Sequence, residues 1–354
     1  MSAATELRTI LARLPEPEGA ARAIQDVRDW EALLVEAEGH GVDGVLVAGV
    51  ESLALTPRAH GWENAKTQVH KRALWAEVQS EVLHEVLRAL AADGIRVAVL
   101  KGPVLAARLY RDAAVRPSND LDLLLDAVSL DRAAVALRPL GYVLEGGALG
   151  RFFRRHHHHV HALHRTLPTL ELHFDAYRGF GTSLPADPLL HRAERCGLPS
   201  WNDAHVLQVE DEFLYLAVHA ASHRLERLLW LFDLKLFLRQ HPGLRWDVVA
   251  VRARANHLSA VVSFVCAVLA DWLDAPLDAA WAHLPALARA RRRAAEGLVG
   301  RRPSHAVNAS ADLLFCTLLC QDFARAAFLS TRFLGIKMFH EAPMRVRSRF
   351  SGCE

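Results

Sequence analysis

The sequence predicts an α+β chain in which one small mixed sheet is embedded between helical additions. Three observations lead there. Apolar residues recur at helical spacing as far as Asp93-Gly94, short β-rich runs follow between about residues 95 and 177, and after about residue 205 the pattern is again helical almost throughout.

Residues 5–55 read as two or three short helices, broken at LPEPEG and at Gly39, Gly41 and Gly44, where missing donors or backbone freedom end a helix. Residues 63–93 form a long amphipathic helix with the stripe Leu74, Val78, Val82, Val86, Leu87 and Leu90, and Asp93-Gly94 stops it. IRVAVL (95–100) is then a strand, LKGPVLAARLY a turn feeding a helix, and 121–125 a second strand. A helix over 129–138 ends at Pro139 and Gly141. Strands are expected at 152–163 and 167–177, which gives a β-α-β-α-β-β order. Helices follow at 211–224, 227–240, 246–256, 259–273, 278–297 and 308–335. The chain so divides into an N-terminal helical region (1–74), an α/β core (75–200), a C-terminal helical domain (201–340) and a basic tail (341–354).

With 354 residues, 51% of them apolar, the chain can bury a large core, which excludes a disordered protein. The net charge of +2 comes from many Arg balanced by many Asp and Glu, so there is no global electrostatic case for nucleic acid. Five cysteines, Cys196, Cys266, Cys316, Cys320 and Cys353, form no CxxC pair or zinc-ligand spacing, and free thiols in a reducing compartment are expected. The N-terminal segment is polar and charged, unlike a signal peptide, and no apolar run has the length of a membrane span; a cytoplasmic protein is the expectation.

The chemistry concentrates in SNDLDLLLD. Side chains alternate along a strand, so Asp120 and Asp122 share one face while Leu121, Leu123 and Leu125 point into a core. Two residues of rise put the carboxylates about 7 Å apart at the backbone, close enough to converge on one divalent ion or a pair. Phosphoryl transfer asks for such an arrangement, because it needs charge neutralised on phosphate oxygens and not a protein nucleophile. Mg²⁺ is held by one or two carboxylates plus phosphate oxygens and water. The bland alternative is a solvated strand edge.

In LELHFDAY the same alternation puts Glu171, His173 and Asp175 on one face. If this strand neighbours 121–125, Glu171 completes the metal cage or deprotonates the acceptor; Asp175 lies nearer the strand end and is the weaker candidate. Upstream, Lys101-Gly102 sits where a strand becomes a helix. Gly102 permits close backbone approach to a phosphate, the helix N-terminus offers N–H groups, and Lys101 adds a point charge. The P-loop pattern is absent, and an ordinary tight turn is the alternative.

These residues carry a resemblance. VLKGPVLAARLYRDAAVRPSNDLDLLL, then LELHF, then YLAVHAASHRLERLLWLFDLKLFL resemble the bacterial family of uncharacterised nucleotidyltransferases, over roughly residues 75–240. That family is similar in turn to the DNA polymerase beta-like superfamily, with a Gly-Ser turn, a helix, a paired-carboxylate strand and a third acid on a later strand. The resemblance implies a nucleotidyltransferase-like core in which Gly102 matches the Gly, Asp120 and Asp122 the pair, and Glu171 the third acid. Pro103 departs from the superfamily by standing where Ser would be, and Lys101 is then expected to take over the hydroxyl's role. Arg116 matches a recurrent family position and would pair with a carboxylate or phosphate. His219 and His223, one helical turn apart, match the resembling segment together with Arg224, Trp230 and Asp233; substrate contact and helix packing are the two readings.

The run HHHHVHALH (156–164) invites a zinc hypothesis through His157, His159 and His161 on an extended strand, but no Cys joins it and a strand bordering the site explains it more simply. The expected function is transfer of a nucleotidyl group from a nucleoside triphosphate, with Mg²⁺ or Mn²⁺ held by Asp120, Asp122 and Glu171, and Lys101, Gly102, Arg116, His219, His223 and Asp233 toward the nucleotide. The acceptor would be a small molecule, peptide or protein sooner than a long nucleic acid. The alternatives are a nucleotide-binding module that has lost its chemistry and an antitoxin-like interaction partner.

Overall fold

The computed structural model describes residues 2–279, 281, 289–299 and 305–320. Four short helices open the chain: α1 (Ala3–Arg13), α2 (Pro17–Gln25), α3 (Trp30–His40) and α4 (Asp43–Ser52). Side chains of Ser2 and Asp29 cap α1 and α3 by accepting the Thr5 and Ala32 N–H groups, and Gly41 ends α3 in the left-handed region at φ 69°. The long helix α5 (Gly61–Ala92) buries Val82, Leu83, Val86, Leu87 and Leu90 at helical spacing. Leu74, expected on the same stripe, is 54% exposed. The first half of α5 is held instead to the N-terminal helices, through buried Trp62 and the Arg72–Asp43 ion pair at 2.6 Å.

The sheet region runs β1 (Val97–Val99), α6 (Gly102–Leu109), β2 (Asp120–Leu125), α7 (Leu130–Leu137), β3 (Val143–Leu144), α8 (Gly147–His156), β4 (His159–Leu163) and β5 (Thr169–His173). It continues with β6 (Asp175–Gly179), β7 (Thr182–Pro185), α9 (Ala186–Arg192), β8 (Glu194–Arg195) and β9 (His205–Val206). Among the described residues the main sheet has the order β3-β4-β5-β2-β1-β9-β8, and β6 pairs with β7 separately. The β2–β5 and β1–β9 pairs are parallel; β1–β2, β4–β5, β3–β4 and β8–β9 are antiparallel, so the sheet is mixed.

Two expected strands are corrected. Residues 147–156 form a helix, and the strand predicted over 152–163 is confined to β4; the helix buries Phe153 on the sheet core and turns Arg151 and Arg154 outward, and strict alternation begins only at His159. The strand predicted over 167–177 is two strands. The Phe174 and Asp175 N–H groups both donate to the His158 carbonyl, and the chain turns there into a second sheet that contains Asp175.

The helices α10 (Val209–Ser222), α11 (Leu228–Gln240), α12 (Trp246–Ala255) and α13 (Ser259–Leu273) lie close to their predicted spans. Of the helices predicted over 278–297 and 308–335, α14 (Arg289–Glu296) and α15 (His305–Leu319) are seen. The remainder past 320, with the basic tail 341–354 and Cys353, lies outside the described residues.

Two apolar cores flank the sheet. Leu121, Leu123 and Leu125 of β2 join Leu170 and Leu172 of β5, the second half of α5 and α7 in one core. On the other face Ala98 and Leu124 join the N-terminal helices and α10–α13. The two helical regions share this core, and buried Lys235 on α11 ties them by donating to the Leu11 and Ala12 carbonyls at the end of α1. The polar residues of β2 and β5 therefore sit on the face that looks toward α10 and α11.

Candidate active site

The parallel register sets Asp122 directly opposite Glu171 and Asp120 opposite Thr169, so all three carboxylates project from one face of neighbouring strands. They line a cavity of about 1000 Å³. Its walls include Lys101, Ser118 and Asn119 from the loops around β2, His158 and His159, Tyr215 and His219 on α10, and Trp230 on α11.

Asp122 is 1% exposed, and its Oδ1 lies 3.1 Å from both Lys101 Nζ and His173 Nε2. Burial alone would raise its pKa, but Lys101 and the His173 hydrogen bond outweigh this and lower it. Burial likewise opposes ionisation of Glu171, and hydrogen bonds from His161 and His173 hold it far below the usual carboxylate range. His173 Nε2 is 3.3 Å from Glu171 Oε2; burial opposes its charge, yet the two acids raise its pKa. Asp120 is the exception: burial, then repulsion from Asp122, pushes its carboxyl up to about 6. Negative charge there is incompletely compensated, which is what a bound cation relieves. The three carboxylates share one face with this unbalanced charge, and Asp122, Glu171 and His173 each bring a ligand atom within 4.8 Å of the others, a set that could hold a divalent ion.

Gly102 starts α6 at φ 72°, a conformation that explains glycine there; the space around it is ordinary, with Asp120 O 3.6 Å from where a Cβ would be. Lys101 precedes it and reaches across to Asp122 and, at 3.5 Å, to His219 Nε2. Burial, then Lys101, lowers the His219 pKa well below its ordinary value. His223 packs near His219 and Trp230, with ring centroids 5.0 and 4.9 Å away.

Arg116 and Asp233 are brought together, but with each other. The Arg116 guanidinium donates to both Asp233 oxygens at 2.9–3.2 Å, and Tyr110 OH donates to Asp233 Oδ1 at 2.6 Å, all buried. Asp233 is engaged as the carboxylate partner of Arg116. Arg224 pairs with Asp312 of α15 at 2.7 Å.

A family described as uncharacterised nucleotidyltransferase matches residues 26–274, which span the entire sheet with α3–α5 before it and α10–α13 after it. The chain belongs to this family. No curated protein sequence matches it. Among solved structures, the solution structure of the antibiotic-resistance factor ANT(2'')-Ia is similar at 13% identity, covering 50% of this chain and 91% of that chain with a TM-score of 0.38. Among the described residues of this nucleotidyltransferase-family member, no helix is long and apolar enough to cross a membrane.

Sequence reasoning assigned no role to His173 or to Glu145, whose Oε2 is 2.8 Å from His161 Nδ1. The alternation in LELHF placed His173 beside Glu171, but its bond to Asp122 depends on strand pairing. Glu145 lies just past a two-residue strand, too short to carry a periodic signal.

Proposed function

We propose that the protein transfers a nucleotidyl group from a nucleoside triphosphate to an acceptor hydroxyl or phosphate. The reading rests on one observation, the parallel register that faces Asp122 with Glu171 and sets Asp120 on the same face of a cavity large enough for a nucleotide. Asp120, Asp122 and Glu171 would hold Mg²⁺ or Mn²⁺, which when bound supplies charge neutralisation at the phosphate oxygens.

The chain's own groups bind and orient. Lys101 presents an ammonium to the phosphates, and Gly102 brings the start of α6 close to them. His219 stays neutral and offers a ring nitrogen beside Lys101, and His223 with Trp230 supplies a flat surface for a base. Arg116 acts through Asp233, fixing the loop that leads into β2. In the transfer, an acceptor oxygen bonds to the α-phosphorus, the bond from that phosphorus to pyrophosphate breaks, and the acceptor's proton leaves to the carboxylate set. With a net charge of only +2, the acceptor is a small molecule, peptide or protein in preference to a long nucleic acid.

Calorimetric titration with each nucleoside triphosphate, with and without Mg²⁺, tests this without knowledge of the acceptor. Metal-dependent binding that disappears in Asp120→Asn/Asp122→Asn supports the reading. Folded wild type that binds no triphosphate under any condition defeats it.

A further inference from the structure

The wall beside the carboxylates is lined with imidazoles. His158 precedes β4, His159 opens it, and His173 stands opposite His159 in the antiparallel β4–β5 pair. Their ring centroids form a near-equilateral triangle: 4.7 Å from His158 to His159, 5.0 Å from His159 to His173 and 5.4 Å from His158 to His173. One ring nitrogen from each lies within 4.8 Å of the others.

Three independent features make this a ligand set and not a stack of core rings. His159 Nδ1 and His173 Nδ1 are buried with no hydrogen-bond partner, and His173 is only 3% exposed. Buried polar atoms are normally satisfied, so two orphan ring nitrogens in one three-histidine cluster call for a partner. The spacing suits a metal: with zinc–nitrogen bonds of about 2.0–2.1 Å at tetrahedral angles, ring centroids fall about 5 Å apart. Finally, His173 is held at its other nitrogen, Nε2, by Asp122 at 3.1 Å, the carboxylate–histidine arrangement that orients Nδ1 toward a metal, whose binding there displaces any Nδ1 proton.

We propose that His158, His159 and His173 bind a borderline divalent transition-metal ion, zinc being the reference, with a fourth position open to the cavity. Nitrogen donors select such an ion over Mg²⁺, which takes oxygen ligands. The site adjoins the carboxylate set: His173 Nε2 lies 3.1 Å from Asp122 and 3.3 Å from Glu171, and both sets line one cavity. It stands whether or not the chain transfers nucleotides.

The neighbouring trio His159, His161 and Glu171 also lies within 4.8 Å, but His161 Nε2 faces Glu171 at 3.7 Å and Glu171 already accepts from His173. The test is equilibrium dialysis of the metal-stripped full chain against zinc chloride alone, with Co²⁺ absorption as a second readout of coordination. We expect one tightly bound zinc per chain, an intense four-coordinate Co²⁺ spectrum, and at least about tenfold weaker binding in His158→Gln and His173→Gln. His158→Gln, at a partly exposed position, keeps the test open if His173→Gln fails to fold, as judged by circular dichroism. Zinc uptake that is absent, or unchanged in folded His158→Gln and lost in His161→Gln, overturns the assignment.

Discussion

Two charged clusters flank the loop that leads into β2, Arg116 at its start and Asp120 and Asp122 on the strand it enters. Arg116, Asp233 and Tyr110 form a closed set: one guanidinium, one carboxylate and one hydroxyl, every strong bond made and all three buried. Asp120, Asp122 and Glu171 form an open one, three acids against one lysine and partly charged imidazoles, on the wall of a cavity. In sequence Arg116 and Asp233 stand beside the acids as candidates toward the nucleotide, and Tyr110 carries no signal. The difference shows that charge balance, more than residue identity, separates a group that holds the fold from one that can bind a ligand, since Arg116 also lines the cavity but is already matched by Asp233.

The contrast can be broken by four measurements. The largest effect is expected for Asp122→Asn: pyrophosphate release, assayed with a panel of hydroxyl acceptors, should fall about 10³-fold or more while the thermal midpoint holds. Retained turnover would show that the open set is not catalytic. Asp233→Ala should act the opposite way, with urea denaturation losing about 3–5 kcal/mol because a buried guanidinium is left unpaired. Removing both charges, Arg116→Met with Asp233→Leu, should cost less than the single change; an equal or larger loss would mean the pair does more than balance charge.

Smaller effects sharpen the picture. Gly102→Ala should cost about 1–2 kcal/mol through its positive φ alone, since the added methyl meets only ordinary contacts. A cost well above that would point to a conformation set by more than backbone strain. His219 gives the smallest signal. Its folded pKa lies below the unfolded value of 6.5, so the unfolded chain takes up a proton first as pH falls, and stability contributed by the neutral ring is lost below about pH 6.5. The thermal midpoint of His219→Gln should therefore fall less steeply over that range; parallel curves would contradict a neutral buried ring.

Much of this was legible from local patterns. The stripe on α5, the span of α13 and the shared face of Asp120 and Asp122 follow from periodicities of 3.6 and 2, which are properties of the chain alone. The failures lie where a pattern is short or ambiguous. FFRRHHHH has no alternation to distinguish a helix from a strand, and only packing of Phe153 on the sheet core decides it. The break at Phe174 was invisible because it depends on bonds to the His158 carbonyl from the next strand.

The sequence by itself determined which side chains share a face, where helices stop, and that two acids stand two residues apart on a strand. Only the tertiary structure decided which faces meet: that β5 lies parallel to β2 so that Glu171 joins Asp122, that Asp233 neutralises Arg116, and that His158 and His159 at the start of β4 meet His173 of β5. Periodicity is set by backbone geometry between neighbouring residues, whereas strand register and charge pairing are set by contacts between segments tens of residues apart, whose free energy no local pattern records.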